Sequence, residues 1–301
     1  MTDDQNSAES REAGARPTWT VCRPGRMMRS ATQSPDVADP AAVISRTIDA
    51  SIDRLLEADL SLRLWASAFN TLGHVHGRER ELSRTQREEV DRLRQGGQHE
   101  EARAADARHA AAQAESDAQA ETCHRGLHLH ARGHLLALHD IGDFVRALGE
   151  LPLEAAQKGM LSRLANDFDH QFPNLTDVRN SVSHLGDRFR LIGQGGAAIN
   201  PPVRDAMIGM QHGPGYVVIA GRMVQARFVT DVQVHAGREL SWGGFFDDRY
   251  HILLGDGTIG EIPLRPDNLI RAAALVQRLV DCFSQPPYEW AGGEQVVSRS
   301  Y

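Results

Sequence analysis

Large apolar residues recur at helical spacing through the first quarter of the chain. Ile44, Ile48, Ile52, Leu55, Leu62, Trp65, Phe69 and Leu72 follow one another at steps of three, four and seven, which is one face of a helix starting near Asp39-Pro40. Beyond Leu72 the stripe thins. From Arg78 to about Ala120 the chain is mostly Arg, Glu, Gln and Ala, a composition that favours helix, and it is interrupted at Gln95-Gly96-Gly97-Gln98. Leu82, Val90 and Leu93 can face the alanine-rich run 102–114, because small side chains let two helices approach closely. The stripe resumes at Leu127, Ala131, His134, Leu138, Ile141, Val145 and Leu148. The pattern predicts an antiparallel helical hairpin with arms of roughly 50 residues, reversing at Gly96-Gly97. Its charged outer half projects into solvent.

Glycine and proline at 149–152 end that helix, and Leu153, Ala156, Met160, Leu164 and Phe168 mark a third. Phe172-Pro173-Asn174 breaks the chain again, and a short helix starts near Asn174. After Arg188 the texture changes. Glycines cluster, and alternating or β-branched runs occupy 189–192, 216–220, 222–229 and 249–264. Gly255-Asp256-Gly257 between two apolar runs is a hairpin signal, so a small antiparallel sheet is expected here. A last helix follows Arg265-Pro266-Asp267-Asn268 and carries Leu269, Ala272, Leu275, Val276, Leu279 and Val280. The expected organisation is therefore mainly α: an antiparallel helical bundle with a long helical hairpin and a small sheet inserted before the final helix. Residues 1–40 read as a disordered leader and 41–188 as the helical core, including the charged hairpin tip 78–120. The β insertion spans 189–265, the final core helix 266–285 and a loose tail 286–301.

Composition narrows the function classes. With 301 residues, 41% of them hydrophobic, the chain can bury a substantial core. A formal net charge of −7 argues against broad coating of nucleic acid, so any RNA contact has to be local. Nearly all the basic residues are arginines, with Lys158 the exception. Cys22, Cys123 and Cys282 lie far apart and supply neither a disulfide framework nor a paired zinc motif, which points to a reducing, cytoplasmic setting. No apolar run reaches the ~18 residues that would span a bilayer, so no membrane role is expected.

The stretch Asp177 to Arg188, DVRNSVSHLGDR, carries the candidate chemistry. On a helical wheel Leu175, Val178, Val182 and Leu185 fall within an arc of about 80°, the core-facing stripe. Asn180 and His184 stack four residues apart on the other side with Asp177 beside them, and Arg179 sits on the flank next to Ser183. A lone helical histidine is usually a satisfied core residue, but here His184 points away from its own apolar stripe. A solvated polar face is the plain alternative.

Arg179-Asn180-Ser181-Val182-Ser183-His184 resembles the arginine–polar–histidine motif of the HEPN superfamily, in which four to six residues separate arginine from histidine. The resemblance covers roughly residues 41–188 and 266–285: long antiparallel helices precede the motif and a final helix follows it. The long charged tip and the inserted sheet depart from the family pattern. The resemblance implies a metal-independent endoribonuclease acting as a homodimer, with Arg179, Asn180 and His184 catalytic and neither cofactor nor metal required. It also implies a toxin or phage-defence role with an antitoxin partner, or else a non-catalytic dimeric HEPN-like binding module. In the catalytic case His184 takes the proton from the ribose 2′-hydroxyl, which attacks the adjacent phosphate. Arg179 holds the charge developing on phosphorus, and Asn180 orients His184 or a phosphate oxygen. A histidine of the partner subunit then serves as general acid.

Other constellations are weaker. His124/His128 and His130/His134 have a spacing that two metal ligands on a helix can use, but the pairs lie on nearly opposite faces. His134 sits within the apolar stripe, where packing explains it. The glycines at 193–196 and 255–257 lack the strand-to-helix setting of a phosphate loop and read as turns.

Overall fold

The computed structural model describes residues 18–23, 25–28, 40–184, 215–219, 222–226, 244–246, 248–256, 258–284 and 288–300. Helices dominate. α1 runs from Pro40–Gln95 and α2 from His99–Gly149, 56 and 51 residues long. At 1.5 Å per residue α1 is about 84 Å long. The reversal between them is Gly96-Gly97-Gln98, where Gly97 takes φ 72°, a conformation open to glycine without strain. The stripe residues Ile44, Ile48, Ile52, Leu55, Leu62, Trp65 and Leu72 of α1 are all buried, as are Leu127, Ala131, His134, Leu138, Ile141, Val145 and Leu148 of α2. Phe69 is half-buried and stacks on Trp65 at 5.3 Å between ring centroids.

The outer arm has its own small core of Val90, Ala102 and Ala105 with Leu93 packed on it, separate from the main core. Ion pairs such as Arg94–Asp106 and Arg108–Glu89 line it.

α3 (Ala155–Gln171) opens on a reciprocal Glu154–Gln157 capping box and buries Leu161, Leu164 and Phe168. Ala156, expected on its inner face, is exposed. α3 packs close to α2 because Gly142 leaves room for the Phe168 ring, which lies only 2.6 Å from where a Cβ would sit. Asn174, at φ 67°, turns the chain sharply into α4 (Leu175–Ser183). α5 (Pro266–Cys282) starts with proline in its first turn, buries all six expected apolar residues and packs on α1, α2 and α3.

The strands are antiparallel. β1 (Thr18–Arg23) pairs with β9 (Gln295–Ser300), and β2 (Arg26–Met28) with β8 (Glu289–Ala291). Between α4 and α5 stand the hairpin β3 (Gly215–Ile219) and β4 (Arg222–Ala226), and a sheet ordered β5 (Gly244–Phe246), β6 (Arg249–Leu253), β7 (Ile259–Pro263). The β6–β7 turn is closed by Asp256, whose Oδ1 accepts from the Thr258 backbone N–H at 2.9 Å and hydroxyl at 2.7 Å.

Two expectations are corrected. The leader 1–40 and the tail 286–301 are not loose over 18–23, 25–28 and 288–300. Trp19 and Val21 are buried in the main core, 2% and 0% exposed, and the pairing of 18–23 with 295–300 holds them there. Residues 1–17, 24 and 29–39 of the expected leader and the run 189–192 lie outside the described residues, while Pro40 already opens α1.

Candidate functional site at the α2–α4 junction

α4 is a nine-residue helix laid on the β6–β7 sheet and on α2. Leu175, Val178 and Val182 form its buried stripe, with Ser181 also fully buried. Val178 meets β7 where Gly260 has no side chain: a Cβ there would lie 2.7 Å from the Val178 Cγ2 and the Leu254 Cδ2. This close approach sets the height of α4 over the sheet. Leu185, the fourth expected stripe residue, lies outside the described residues.

The helix ends at Ser183, two residues short of the Leu185 that the wheel included. His184 is the C-cap, its backbone N–H donating to the carbonyls of Asn180 (3.0 Å) and Ser181 (3.2 Å), and its side chain is exposed. Arg179 and Asn180 are half-buried, and Arg179 Nη1 donates to Asn180 Oδ1 at 3.2 Å. Among the described residues Arg179 has no carboxylate partner, and its buried Nε makes no hydrogen bond. A half-buried guanidinium bonded only to a neutral amide retains its capacity for an anion.

The polar side of α4 is not simply open to solvent, because α2 supplies a residue that the sequence reading passed over. His139 is 5% exposed, and its Nδ1 lies 3.2 Å from Asp143 Oδ2, close enough for an ion pair but not aligned for a hydrogen bond. Burial pushes its imidazole below the ordinary histidine range. Asp143 raises it, Arg179 lowers it, and Asp140 and Arg146 add smaller opposing effects. Asp143 also accepts from Arg146 Nη1 at 3.1 Å, Arg146 reaches Asp169 of α3, and Asp140 pairs with Arg54 of α1 at 3.0 Å. The junction thus has Arg179 and Asn180 on one helix and a buried imidazole with a saturated acidic chain on the other. A sequence signal for His139 existed only as His139-Asp140 and Asp143 interrupting the apolar stripe, and it did not link them to a helix 35 or more residues later.

The histidine run on α2 packs rather than gathering. His134 is fully buried, its Nδ1–H donates to the Ala58 carbonyl at 2.9 Å, and burial holds its pKa at about 4. His128 lies against Phe245 at 4.8 Å between rings, and burial brings its pKa to about 4. Among the described residues no three His, Cys, Asp or Glu side chains converge as metal ligands.

A cavity of about 420 Å³ lies between α3 and α5, lined by Met160, Arg163, Leu164, Asp167, Arg278, Asp281 and Cys282. It contains none of the motif residues. Among the described residues no helix is long and apolar enough to cross a membrane. No family model matches the chain, and no curated protein or solved structure does.

Proposed function

We propose that the protein is a metal-independent endoribonuclease of HEPN type, acting as a homodimer on RNA, as a toxin or phage-defence component held in check by an antitoxin. The observation that supports this reading is Arg179: a half-buried guanidinium, hydrogen-bonded to Asn180 and, among the described residues, without a carboxylate, on the same short helix that ends at the exposed His184. In this reading His184 takes the 2′-hydroxyl proton, the 2′-oxygen attacks phosphorus, and Arg179 with Asn180 holds the non-bridging oxygens of the transition state. The general acid comes from the partner subunit's motif helix, which faces this one across the dimer axis. The chain belongs in the cytoplasm in this reading, where RNA is at hand.

The test is cleavage of single-stranded RNA by purified protein in EDTA, beside single-stranded DNA of the same sequence. Cleavage of RNA alone supports the reading, because DNA lacks the nucleophile. Cleavage of both, or cleavage that requires added metal, contradicts it.

A second reading, a non-catalytic dimeric HEPN-like binding module, draws on the surface of the hairpin. Four of the five exposed large hydrophobics among the described residues, Leu60, Leu64, Leu129 and Leu136, sit on α1 and α2 near the Ser61–Gly133 crossing. Such a concentration suits protein contact. A protein inert toward RNA that dimerises, and whose dimer is lost on Leu64→Asp with Leu129→Asp, would favour it.

A further inference from the structure

The four exposed leucines of the hairpin stand in a pattern that a two-fold axis maps onto itself. Leu60 and Leu64 are 57% and 41% exposed on α1, and Leu129 and Leu136 are 67% and 36% exposed on α2. Gly133 lies against Ser61 and Gly126 against Ala68, which fixes the relative levels of the two antiparallel helices. At 100° per residue from those seam contacts, all four leucines turn to one side of the hairpin and the buried stripes turn to the other.

Position 62, midway between Leu60 and Leu64, is level with position 132 of α2. The midpoint of Leu129 and Leu136 falls between 132 and 133, about 0.75 Å further along the helix. The two leucine pairs thus share one centre. Arg125 and Asp140 have the same midpoint as Leu129 and Leu136. The Arg125 side chain is 79% exposed beside Glu121, and that of Asp140 is 34% exposed and pairs with Arg54 at 3.0 Å.

We propose that this face binds a second copy of the chain, two hairpins packing antiparallel about a two-fold axis that crosses the helices between Leu60 and Leu64. α1 then lies on α1 of the second copy with Leu60 against Leu64, and α2 on α2 with Leu136 against Leu129. An isologous contact makes each of these pairings twice. Asp140 meets Arg125 of the second copy, Glu57 meets Ser67 and Asp53 meets Thr71, so none of these pairings opposes like charges. A two-fold running along the hairpin would also join the leucines. It would, however, set the acidic end of Asp53, Glu57 and Asp140 against the same end of the second copy, which is repulsive. The contact gives the hairpin surface noted above a partner and a geometry. It uses none of Arg179, Asn180 and His184, and so goes beyond the RNA reading without depending on it.

The experiment is sedimentation velocity on the full chain from about 1 to 200 µM. Four leucines a side make a small interface, so a dissociation constant on the order of 10 µM is expected. Leu129→Asp should weaken this association at least ~tenfold with the melting temperature unchanged, because its side chain is already in solvent in the monomer. Leu60→Asp should do the same from α1. Arg125→Asp and Asp140→Arg should each weaken it about fivefold. The chain carrying both should associate at least ~threefold more tightly than either single variant, since the pair re-forms with its signs exchanged.

A wild-type chain that stays monomeric throughout the range overturns the proposal. So does association that both aspartate variants leave unchanged, or a double charge swap no better than the single ones. Cleavage of RNA by a protein whose Leu129→Asp variant associates like wild type sinks this contact and leaves the RNA reading standing. The predicted association in a protein inert toward RNA does the reverse.

Discussion

The indole N–H of Trp19 donates to Asp59 Oδ1 at 3.3 Å, in a buried hydrogen bond that joins β1 to α1 across 40 residues of sequence. Asp59 accepts as well from Arg63 Nε at 2.9 Å, and Arg63 Nη2 donates to the Ser300 carbonyl at 2.9 Å. One carboxylate, 4% exposed, thereby ties both paired terminal strands to the long helix. Trp19→Ala removes the indole from the core and should cost about 3–5 kcal/mol in urea denaturation. Asp59→Leu should cost more than Asp59→Asn, because it strands both donors. A Trp19→Ala variant within ~1 kcal/mol of wild type would place that tryptophan outside the cooperative core.

Acid should destabilise the protein in a defined window. His134 has a folded pKa of about 4 against 6.5 for the free side chain, because burial outweighs its bond to the Ala58 carbonyl. The folded pKa is depressed, so between those values the unfolded chain binds the extra proton and stability falls as pH falls. From pH 7 down to about 4 this one group removes about 3 kcal/mol, and His128 and His251 act in the same direction. Urea midpoints at pH 7.5, 6, 5 and 4 measure it. In His134→Gln the slope should lessen by about one proton; an unchanged slope would assign acid sensitivity to other groups.

The outer arm should be dispensable for folding. Ser116 Oγ donates to Glu79 Oε1 at 2.9 Å, so the two helices are already joined at that level, and the arm's small core is independent of the main one. Replacing residues 80–115 by a short glycine linker should leave the melting temperature within a few degrees of wild type, since shortening a loop changes closure entropy slowly. Loss of the cooperative transition would show that the arm stabilises the bundle.

Gly260→Ala is the substitution that moves α4 without touching its polar residues. The new Cβ would meet Val178 and Leu254 at 2.7 Å, and the strain should cost about 1–3 kcal/mol. Lifting α4 also shifts Arg179 relative to His139, so RNA cleavage should fall more than stability alone explains when measured well below the melting temperature. Full activity in the folded variant would mean that the site tolerates the displacement.

The hairpin was legible in the sequence because its signals are local: an apolar stripe at helical spacing and a double glycine between charged arms. The last helix and the β6–β7 turn were legible for the same reason. β1 was not. Its alternation, Trp19 and Val21 buried between exposed Thr18 and Thr20, lasts four residues, and its partner lies some 275 positions away in a segment without large apolar residues beyond two valines. At the site, Arg179, Asn180 and His184 came from a motif and their helix from its stripe. His139 could not, because its proximity to Arg179 exists only once α4 packs on α2, and Ser181 was missed because a small hydroxyl carries no hydrophobic signal.

The central claim is that His184 activates the RNA's own 2′-hydroxyl, and end-group analysis of cleavage products tests it most directly. Wild-type protein incubated with single-stranded RNA in EDTA should leave 2′,3′-cyclic phosphate and 5′-hydroxyl ends, and His184→Ala should leave the RNA intact with melting temperature nearly unchanged, since His184 is exposed. Products with 5′-phosphate ends, or cleavage undiminished in His184→Ala, would contradict the account.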